Sequence, residues 1–203
     1  MRTQTKETQE HLTPQDAHRI LVDGNKRFQL NLKAQRNLKE QVLETSKGQF
    51  PFAAILSCID SRVPTELVFD QGIGDIFSIR IAGNIINEDI LGSMEYACKV
   101  AGSKIILVLG HTNCGAVTSA CNHVELGNIT SLLHKIKPAI DTVLKVDGDR
   151  ETDIIEKVAV QNVLNSIERV RKESQILREM EQNGEIEIVG AQYCVHTGEV
   201  KFL

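Results

Sequence analysis

The sequence predicts an α/β fold in which a mainly parallel central β-sheet is flanked by helices. Residues 52–58 and 104–109 form two short, continuously apolar runs, which are typical of strands buried on both faces of a parallel sheet. Residues 185–190 alternate between apolar and polar side chains and indicate a further strand. Segments with apolar residues at helical spacing separate these strands. Strands that alternate with helices define the α/β class.

The elements can be placed in order along the 203 residues. The N-terminal region is helical, because Thr13 is a hydroxyl N-cap and Pro14 favours the first position of a helix. Gly110 is expected to end the strand at 104–109, and a helix is expected from about Gly115. The remaining predicted helices cover 38–45, 90–101, 131–144, 151–173 and 175–182, and the remaining predicted strands cover 75–81 and 198–203.

The length fits one globular unit with an N-terminal extension. Residues 1–48 carry little chemistry, and we expect them to form a helical arm that packs on a partner subunit. Residues 49–203 hold the predicted strands and are expected to form the α/β domain that carries the functional site. Sites in such domains lie beyond the carboxyl ends of the strands.

The composition argues against several classes of protein. The net charge of −4 and the 4% of aromatic residues, without any Trp, do not suit phosphate neutralisation or base stacking, so no nucleic-acid partner is expected. A run of about 18 apolar residues is absent, so no membrane partner is expected. The polar start has no signal-peptide pattern, and five widely spaced cysteines do not suggest a disulfide framework. We therefore expect a cytoplasmic protein.

Two of the predicted strand ends carry reactive side chains. One reads Cys58-Ile59-Asp60-Ser61-Arg62 and the other His111-Thr112-Asn113-Cys114-Gly115. In a helical turn His111 and Cys114 would face the same side, and Cys58 on a neighbouring parallel strand would lie within about 5 Å. Two thiolates and one imidazole would make a zinc site with one open position. The alternative is a pair of cysteines buried as small core residues and a solvated or capping histidine.

Asp60 and Arg62 form a second candidate pair. In extended backbone Cys58, Asp60 and Arg62 would point to one side, and the arginine would keep the carboxylate ionised. Such a carboxylate could accept a hydrogen bond from a zinc-bound hydroxide, or it could occupy the fourth zinc position itself. It could also form a structural ion pair in which Asp60 caps a helix near Val63-Pro64.

The motifs at these positions resemble those of the β-class carbonic anhydrases. The resemblance is carried by Cys-Ile-Asp-Ser-Arg-Val-Pro at 58–64, Arg-Ile-Ala-Gly-Asn at 80–84 and His-Thr-Asn-Cys-Gly at 111–115. It extends from about Thr13 to the C-terminal strand pair, which is nearly the whole chain.

The resemblance implies roles for the site residues. One zinc ion per chain would be held by Cys58, His111 and Cys114, and the catalytic dyad would be Asp60 and Arg62. A zinc-bound hydroxide oriented by this dyad would attack CO2 and give bicarbonate and a proton.

The resemblance also implies a narrow apolar substrate pocket at a dimer interface. Its residues would be Gln49, Phe77, Ala82, Tyr96 and Gly115, with Gln49, Phe77 and Tyr96 supplied by the neighbouring subunit. The expected assembly is a homo-oligomer, either a dimer or a dimer of dimers. Without the resemblance, these side chains would be assigned to the core or the surface.

Three positions distinguish this chain within the family. Gln49 matches a glutamine of the plant-like subgroup, and Ile55 stands where the other large subgroup has Trp. We therefore expect the plant-like subgroup, whose zinc is open to water or substrate. Ile81 stands where the family usually has Asn, which puts in doubt any hydrogen bond that depends on that Asn.

Two alternative functions remain open from the sequence. A CS2 or COS hydrolase on the same scaffold would share the metal ligands, because its selectivity would lie in the shape of the pocket. A non-catalytic zinc-binding protein would keep the cysteines and the histidine but would not need Asp60, Arg62 or Gln49.

Overall fold

A five-stranded sheet forms the centre of the computed structural model, which describes residues 3–147 and 153–203. The spatial order of the strands is β2-β1-β3-β4-β5. The first four strands are parallel, and β5 runs antiparallel to β4. This architecture confirms the predicted fold class. The strands are β1 (Ala53–Ser57), β2 (Ile76–Arg80), β3 (Ile105–His111), β4 (Glu187–Tyr193) and β5 (Val200–Phe202).

Helices pack on both faces of the sheet. The α-helices of the described residues are α1 (Lys6–His11), α2 (Pro14–Gln29), α3 (Leu38–Thr45), α4 (Thr65–Val68), α5 (Glu88–Glu95), α6 (Gly115–Cys121), α7 (Gly127–Leu133), α8 (Lys137–Asp147), α9 (Ile154–Glu173) and α10 (Gln175–Gln182), beside a 3-10 turn at Ala82–Asn84 and a π-helical turn at Tyr96–Val100. None of the helices among these residues has the length and apolar character needed to span a bilayer.

The two faces of the sheet bury different helices. Ala54 and Leu56 of β1 point with the even-numbered residues of β3 toward α5, α9 and α10. Ile55 points the other way, into a cluster that includes Ala17 and Leu21 of α2. Because successive side chains of a strand alternate between faces, continuously apolar strands are what a sheet covered on both sides requires.

The strand register brings three strand ends together. Ser57, the last residue of β1, lies opposite Leu109 of β3 and Arg80 of β2. Cys58 therefore follows β1 at the edge of the sheet where His111 ends β3. This is the edge at which parallel sheets form sites.

Several predicted boundaries are wrong. Gly110 does not end the third strand, because β3 continues to His111. The glycine instead allows close packing, since a Cβ atom at position 110 would collide with Gln192 and Val163. The predicted helix at 131–144 is two helices, α7 and α8, with Pro138 in the first turn of the second. The polar helix α1 was not predicted; Thr5 caps it. Of the helix predicted over 151–173, residues 151–152 lie outside the described residues.

The N-terminal segment packs on its own chain through α2. Ala17 and Leu21 are fully buried in the core, and the Asn25 amide donates hydrogen bonds to the carbonyl oxygens of Val68 and Gly198 at 3.1 and 2.9 Å. The division at residue 48 and the contact of the arm with a partner subunit stay predictions.

Candidate metal centre

Cys58, His111 and Cys114 converge at the carboxyl edge of the sheet. Their potential ligand atoms all lie within 4.8 Å of one another, and all three residues are buried. Cys58 follows β1, His111 is the last residue of β3, and Cys114 precedes α6. In the described part of the chain, this is the group of three or more side chains that could hold a metal ion.

The His111–Cys114 pair converges through a tight turn, not through the helical turn that the spacing suggested. Asn113 adopts a left-handed backbone with φ of 54°, and Cys114 is extended with φ of −72° and ψ of 114°. Asparagine is one of the few residues other than glycine that adopts this region readily. The turn therefore reverses the chain between the two ligands before α6 begins.

His111 presents one ring nitrogen to the centre. Nδ1 lies 3.0 Å from the carbonyl oxygen of Thr112, and because a carbonyl only accepts, Nδ1 carries the hydrogen. Nε2 then carries a lone pair, and it is buried with no hydrogen-bond partner among the described residues. A ring oriented by a backbone carbonyl with its other nitrogen free is the usual arrangement of a metal-binding histidine.

The thiols of Cys58 and Cys114 lie close enough to influence each other's pKa. The neighbouring Cys114 thiol is the largest influence that lowers the pKa of Cys58, to about 4, and the proximity of Cys58 raises the pKa of Cys114. The Gly83 N–H also donates to Cys58 Sγ at 3.3 Å. A thiolate at Cys58 therefore has a backbone donor already in place, and two sulfur ligands with one imidazole suit zinc. The donor set and the unpartnered Nε2 both fit a zinc ion.

Asp60 and Arg62 are joined beside this cluster, but not in the extended geometry that was expected. Residues 60–63 form a turn in which the Val63 N–H donates to the Asp60 carbonyl at 3.0 Å. Arg62 Nε and Nη2 donate to the two oxygens of the Asp60 carboxylate at 2.9 and 2.7 Å. The alternative in which Asp60 caps a helix is wrong, since α4 begins at Thr65 without a side-chain cap.

The arginine keeps the carboxylate ionised. Hydrogen bonding to Arg62 lowers the pKa of Asp60 to about 2 and raises the pKa of Arg62. Asp60 is not part of the three-residue ligand group. Its partner Arg62 also donates to the carbonyl of Asn113, which lies between His111 and Cys114, so the Asp60 carboxylate is a charged acceptor adjacent to the cluster.

Two further residues form hydrogen bonds that support the site. The sequence did not predict this role for them. Arg80, at the end of β2, donates from Nε to the Cys58 carbonyl at 3.1 Å and from Nη2 to the Asp60 carbonyl at 2.7 Å. The Asn113 carbonyl accepts a hydrogen bond from Arg62 Nη2 at 3.1 Å. The position of Arg80 at a strand end was the signal that could have identified it.

The predicted substrate residues fall into two groups. Ala82 and Gly115 lie next to the cluster, since Ala82 precedes Gly83 and Gly115 follows Cys114. Phe77 and Tyr96 pack edge to face with ring centroids 6.3 Å apart and line an open groove with residues of α5.

The second group does not meet the cluster within one chain. Phe77 is paired with Ala54, four residues before Cys58, which corresponds to about 13 Å along the strand. Gln49 is exposed and precedes β1, at the opposite edge of the sheet. Their predicted place in a substrate pocket therefore depends on a second subunit.

Ile81 fits the apolar surroundings of its position. Its N–H donates to the Ser57 carbonyl at 3.1 Å, and its half-buried side chain packs against core residues. The backbone bond that anchors this segment to β1 therefore does not depend on the side chain at position 81.

The fold and this cluster together define an α/β protein with a potential metal centre at the carboxyl ends of parallel strands. A family model for carbonic anhydrase matches residues 53–200. The chain is 32% identical over 196 residues to carbonic anhydrase 2 of Mycobacterium tuberculosis, which covers 91% of this chain and 90% of that protein. The chain therefore belongs to the β-class carbonic anhydrase family and is an enzyme of the carbonic anhydrase type.

Solved structures agree with this assignment. The β-carbonic anhydrase of Coccomyxa, solved in complex with acetazolamide, is 25% identical, with a TM-score of 0.73 over 90% of this chain and 84% of that one. Crystal structures are known for two tetrameric β-carbonic anhydrases of Sordaria macrospora. One of them shares the fold of this chain with a TM-score of 0.75 at 24% identity, over 92% of this chain and 95% of that one.

Proposed function

We propose that this protein catalyses the reversible hydration of CO2 to bicarbonate and a proton, with one Zn2+ per chain. The observation that carries the proposal is the position of an ionised, arginine-bound Asp60 beside a buried Cys58–His111–Cys114 cluster. A purely structural metal site would need the three ligands but not the dyad. This argues against a non-catalytic zinc-binding protein.

Cys58, His111 and Cys114 would hold the zinc ion, and a fourth position would stay open. Zinc in such a site supplies a Lewis acid that lowers the pKa of water toward about 7. Asp60 is bound through both carboxylate oxygens by Arg62, which favours its use as a hydrogen-bond acceptor over its use as a fourth ligand. This supports the plant-like subgroup, in which the metal is open to water or substrate.

The chain's own residues orient the reaction in this scheme. Asp60 accepts a hydrogen bond from the water-derived nucleophile and directs its lone pair at the carbon of CO2. Arg62 holds the carboxylate ionised and fixed. Ala82 and Gly115 lie beside the cluster, where they would line the substrate pocket.

We propose that the substrate pocket is completed in a homodimer or a dimer of dimers. The distance of Gln49, Phe77 and Tyr96 from the cluster within one chain supports a contribution from a second subunit. The tetrameric assembly described for the Sordaria macrospora proteins also supports this view. In this arrangement Gln49 of the neighbouring chain would donate a hydrogen bond to an oxygen of CO2 or bicarbonate.

Stopped-flow CO2 hydration on protein of known zinc content tests the proposal. The assay is run at about pH 8.5, above the pKa near 7 that zinc can impart to water. We expect rapid hydration with one zinc per chain. One zinc per chain with turnover of CS2 or COS and none of CO2 would replace the proposal with the sulfur-analogue hydrolase. One zinc without any turnover would favour the non-catalytic protein.

A further inference from the structure

Asn113, between the proposed ligands His111 and Cys114, is held on three sides. Its N–H donates to Glu156 Oε1 at 2.8 Å, and its carbonyl accepts from Arg62 Nη2 at 3.1 Å. Its side-chain amide donates to Nε2 of His196 at 3.0 Å. One residue of the turn therefore connects helix α9 to the Asp60–Arg62 pair.

The backbone of Asn113 needs such support. Its φ of 54° lies in the left-handed region, which costs free energy even for asparagine. Residues in this region persist where their surroundings hold them in place. The bond to Glu156 acts directly on the peptide group whose orientation this φ sets.

Glu156 is placed unusually for a residue in the first turn of a helix. It is the third residue of α9, where a glutamate commonly folds back onto the N-cap N–H. Here Asp153 precedes the helix without a side-chain cap, and Glu156 instead reaches across to a residue 43 positions earlier in the chain. Its second oxygen, Oε2, is buried and makes no hydrogen bond to any residue within 3–147 or 153–203. The hydrogen bond that the carboxylate accepts is therefore the one from the Asn113 N–H.

The Arg62 guanidinium depends on the other end of the same residue. The Arg62 side chain is half exposed, so packing alone does not hold it and its position depends on its hydrogen bonds. Its contacts are the two bonds to Asp60 and the bond to the Asn113 carbonyl. A rotation of the Asn113 backbone would move this carbonyl and leave the guanidinium free to turn away from its bidentate position.

We propose that Glu156 is a positioning residue for the reaction, which fixes the Asn113 backbone so that its carbonyl holds Arg62 in line with Asp60. This inference rests on the proposed hydration of CO2. It assigns a role to a residue that belongs neither to the proposed metal ligands nor to the Asp60–Arg62 dyad. The proposed role requires an acceptor oxygen at the position of Glu156 Oε1, and it does not require the negative charge of the carboxylate.

Two conservative variants separate position from charge. Glu156→Gln keeps an acceptor oxygen at the same distance without the charge. Glu156→Asp keeps the charge but withdraws the oxygen by one methylene. Glu168→Asp is the matched control, because Glu168 lies on α9, is exposed and pairs with Arg171. All variants are made in the full chain and loaded with zinc.

The first measurement is amide hydrogen exchange of the 111–115 segment. In Glu156→Asp we expect the Asn113 amide to exchange about tenfold faster, as the loss of one hydrogen bond predicts. Glu156→Gln and Glu168→Asp should exchange like the unmodified protein. The same comparison on zinc-free protein gives a readout that does not depend on turnover.

The second measurement is steady-state CO2 hydration together with zinc content. Glu156→Asp should lose about tenfold in kcat with KM and zinc content unchanged, the pattern of a group that supports the transition state through another residue. Glu156→Gln should recover most of kcat. Wild-type kcat in Glu156→Asp would overturn the proposal. So would a Glu156→Gln variant as impaired as Glu156→Asp, since charge would then be the cause.

The outcomes also separate this inference from the proposed function. If the unmodified protein hydrates CO2 but Glu156→Asp changes neither kcat nor exchange, the positioning role fails alone. If the unmodified protein does not hydrate CO2, the proposed function fails, and with it a role of Glu156 in that reaction. Exchange at Asn113 would then show only whether the contact exists.

Discussion

Arg62 donates hydrogen bonds to both oxygens of the Asp60 carboxylate, with Nε 2.9 Å from Oδ1 and Nη2 2.7 Å from Oδ2. Two parallel N–H···O bonds fix a carboxylate in orientation as well as in charge. Hydrogen bonding to Arg62 lowers the pKa of Asp60 to about 2, so the carboxylate is ionised at neutral pH. In the proposed reaction we therefore expect no loss of rate from protonation of Asp60 at neutral pH.

Asp60→Ala should keep zinc and lose most of the hydration rate. We expect kcat to fall about 100-fold, as for other groups that direct a nucleophile or its proton. Stopped-flow hydration and zinc analysis on the same sample check this. Asp141→Ala is the matched control, because Asp141 pairs with Lys137 on the surface of α8 and should leave both unchanged. Full activity in Asp60→Ala would remove Asp60 from the mechanism.

Cys58→Ser and His111→Ala should each abolish tight zinc binding. Each removes one of three ligands, and a two-ligand remainder does not fill the coordination of zinc. Zinc per chain after dialysis against a chelator is the measurement. Cys98→Ala is the control, because Cys98 is buried in the core and lies outside the ligand group found in the described residues. If Cys58→Ser retained one zinc per chain, another residue would have to supply the ligand.

The sequence predicted best those features that depend on short stretches of chain. Helix α10 matches its predicted range of 175–182, and its cap, Ser174, is a residue that favours that position. Strand β1 follows from an uninterrupted apolar run. The convergence of Cys58 with His111 followed from one assumption, that their strands are parallel neighbours, and the register confirms it.

Features that depend on a backbone conformation or on distant contacts were not predictable in this way. The left-handed φ of Asn113 replaces the expected helical turn between His111 and Cys114. The contact of Glu156 with Asn113 joins residues 43 positions apart. No periodicity or spacing rule connects such pairs, because the tertiary packing of α9 against the strand ends creates them.

Gly83→Ala should weaken metal binding without removing a ligand. Gly83 has φ of +67°, and an added Cβ would come within 2.8 Å of Ile136 Cδ1 and 3.3 Å of Ala116 Cβ. The strain would displace the N–H that donates to Cys58 Sγ. Loss of such an outer contact commonly costs about 10–100-fold in metal affinity.

Competition with a zinc chelator of known affinity measures this loss. Gly92→Ala is the control for the glycine substitution, because no atom of the described residues lies within 4 Å of its added Cβ. Its zinc affinity should equal that of the unmodified protein. An unchanged affinity in Gly83→Ala would show that Cys58 does not depend on the Gly83 N–H.

Asp70→Asn should destabilise the fold through a buried cluster remote from the metal centre. The Asp70 side chain is 3% exposed and accepts from Arg27 Nε and Arg36 Nη1, each at 2.5 Å. It ties the end of α2 and the segment before α3 to the end of α4. Asparagine keeps the size of the side chain and tolerates the φ of 46° at this position, so the change removes mainly the charge. We expect a loss of about 3 kcal/mol in the free energy of unfolding at neutral pH.

This loss should depend on pH in a defined direction. Burial raises the pKa of Asp70, but the hydrogen bonds from Arg27 and Arg36 outweigh burial and hold the pKa below its ordinary value of 3.8. A group with a lowered folded-state pKa contributes stability above its unfolded pKa and loses it as the pH falls through the folded pKa. Urea unfolding at about pH 7 and about pH 3 should therefore show a smaller gap between the unmodified protein and Asp70→Asn at the lower pH. Asp141→Asn, on an exposed pair, should cost less than about 1 kcal/mol. A gap for Asp70→Asn that stayed constant over this range would mean that steric packing, and not the carboxylate charge, holds the cluster together.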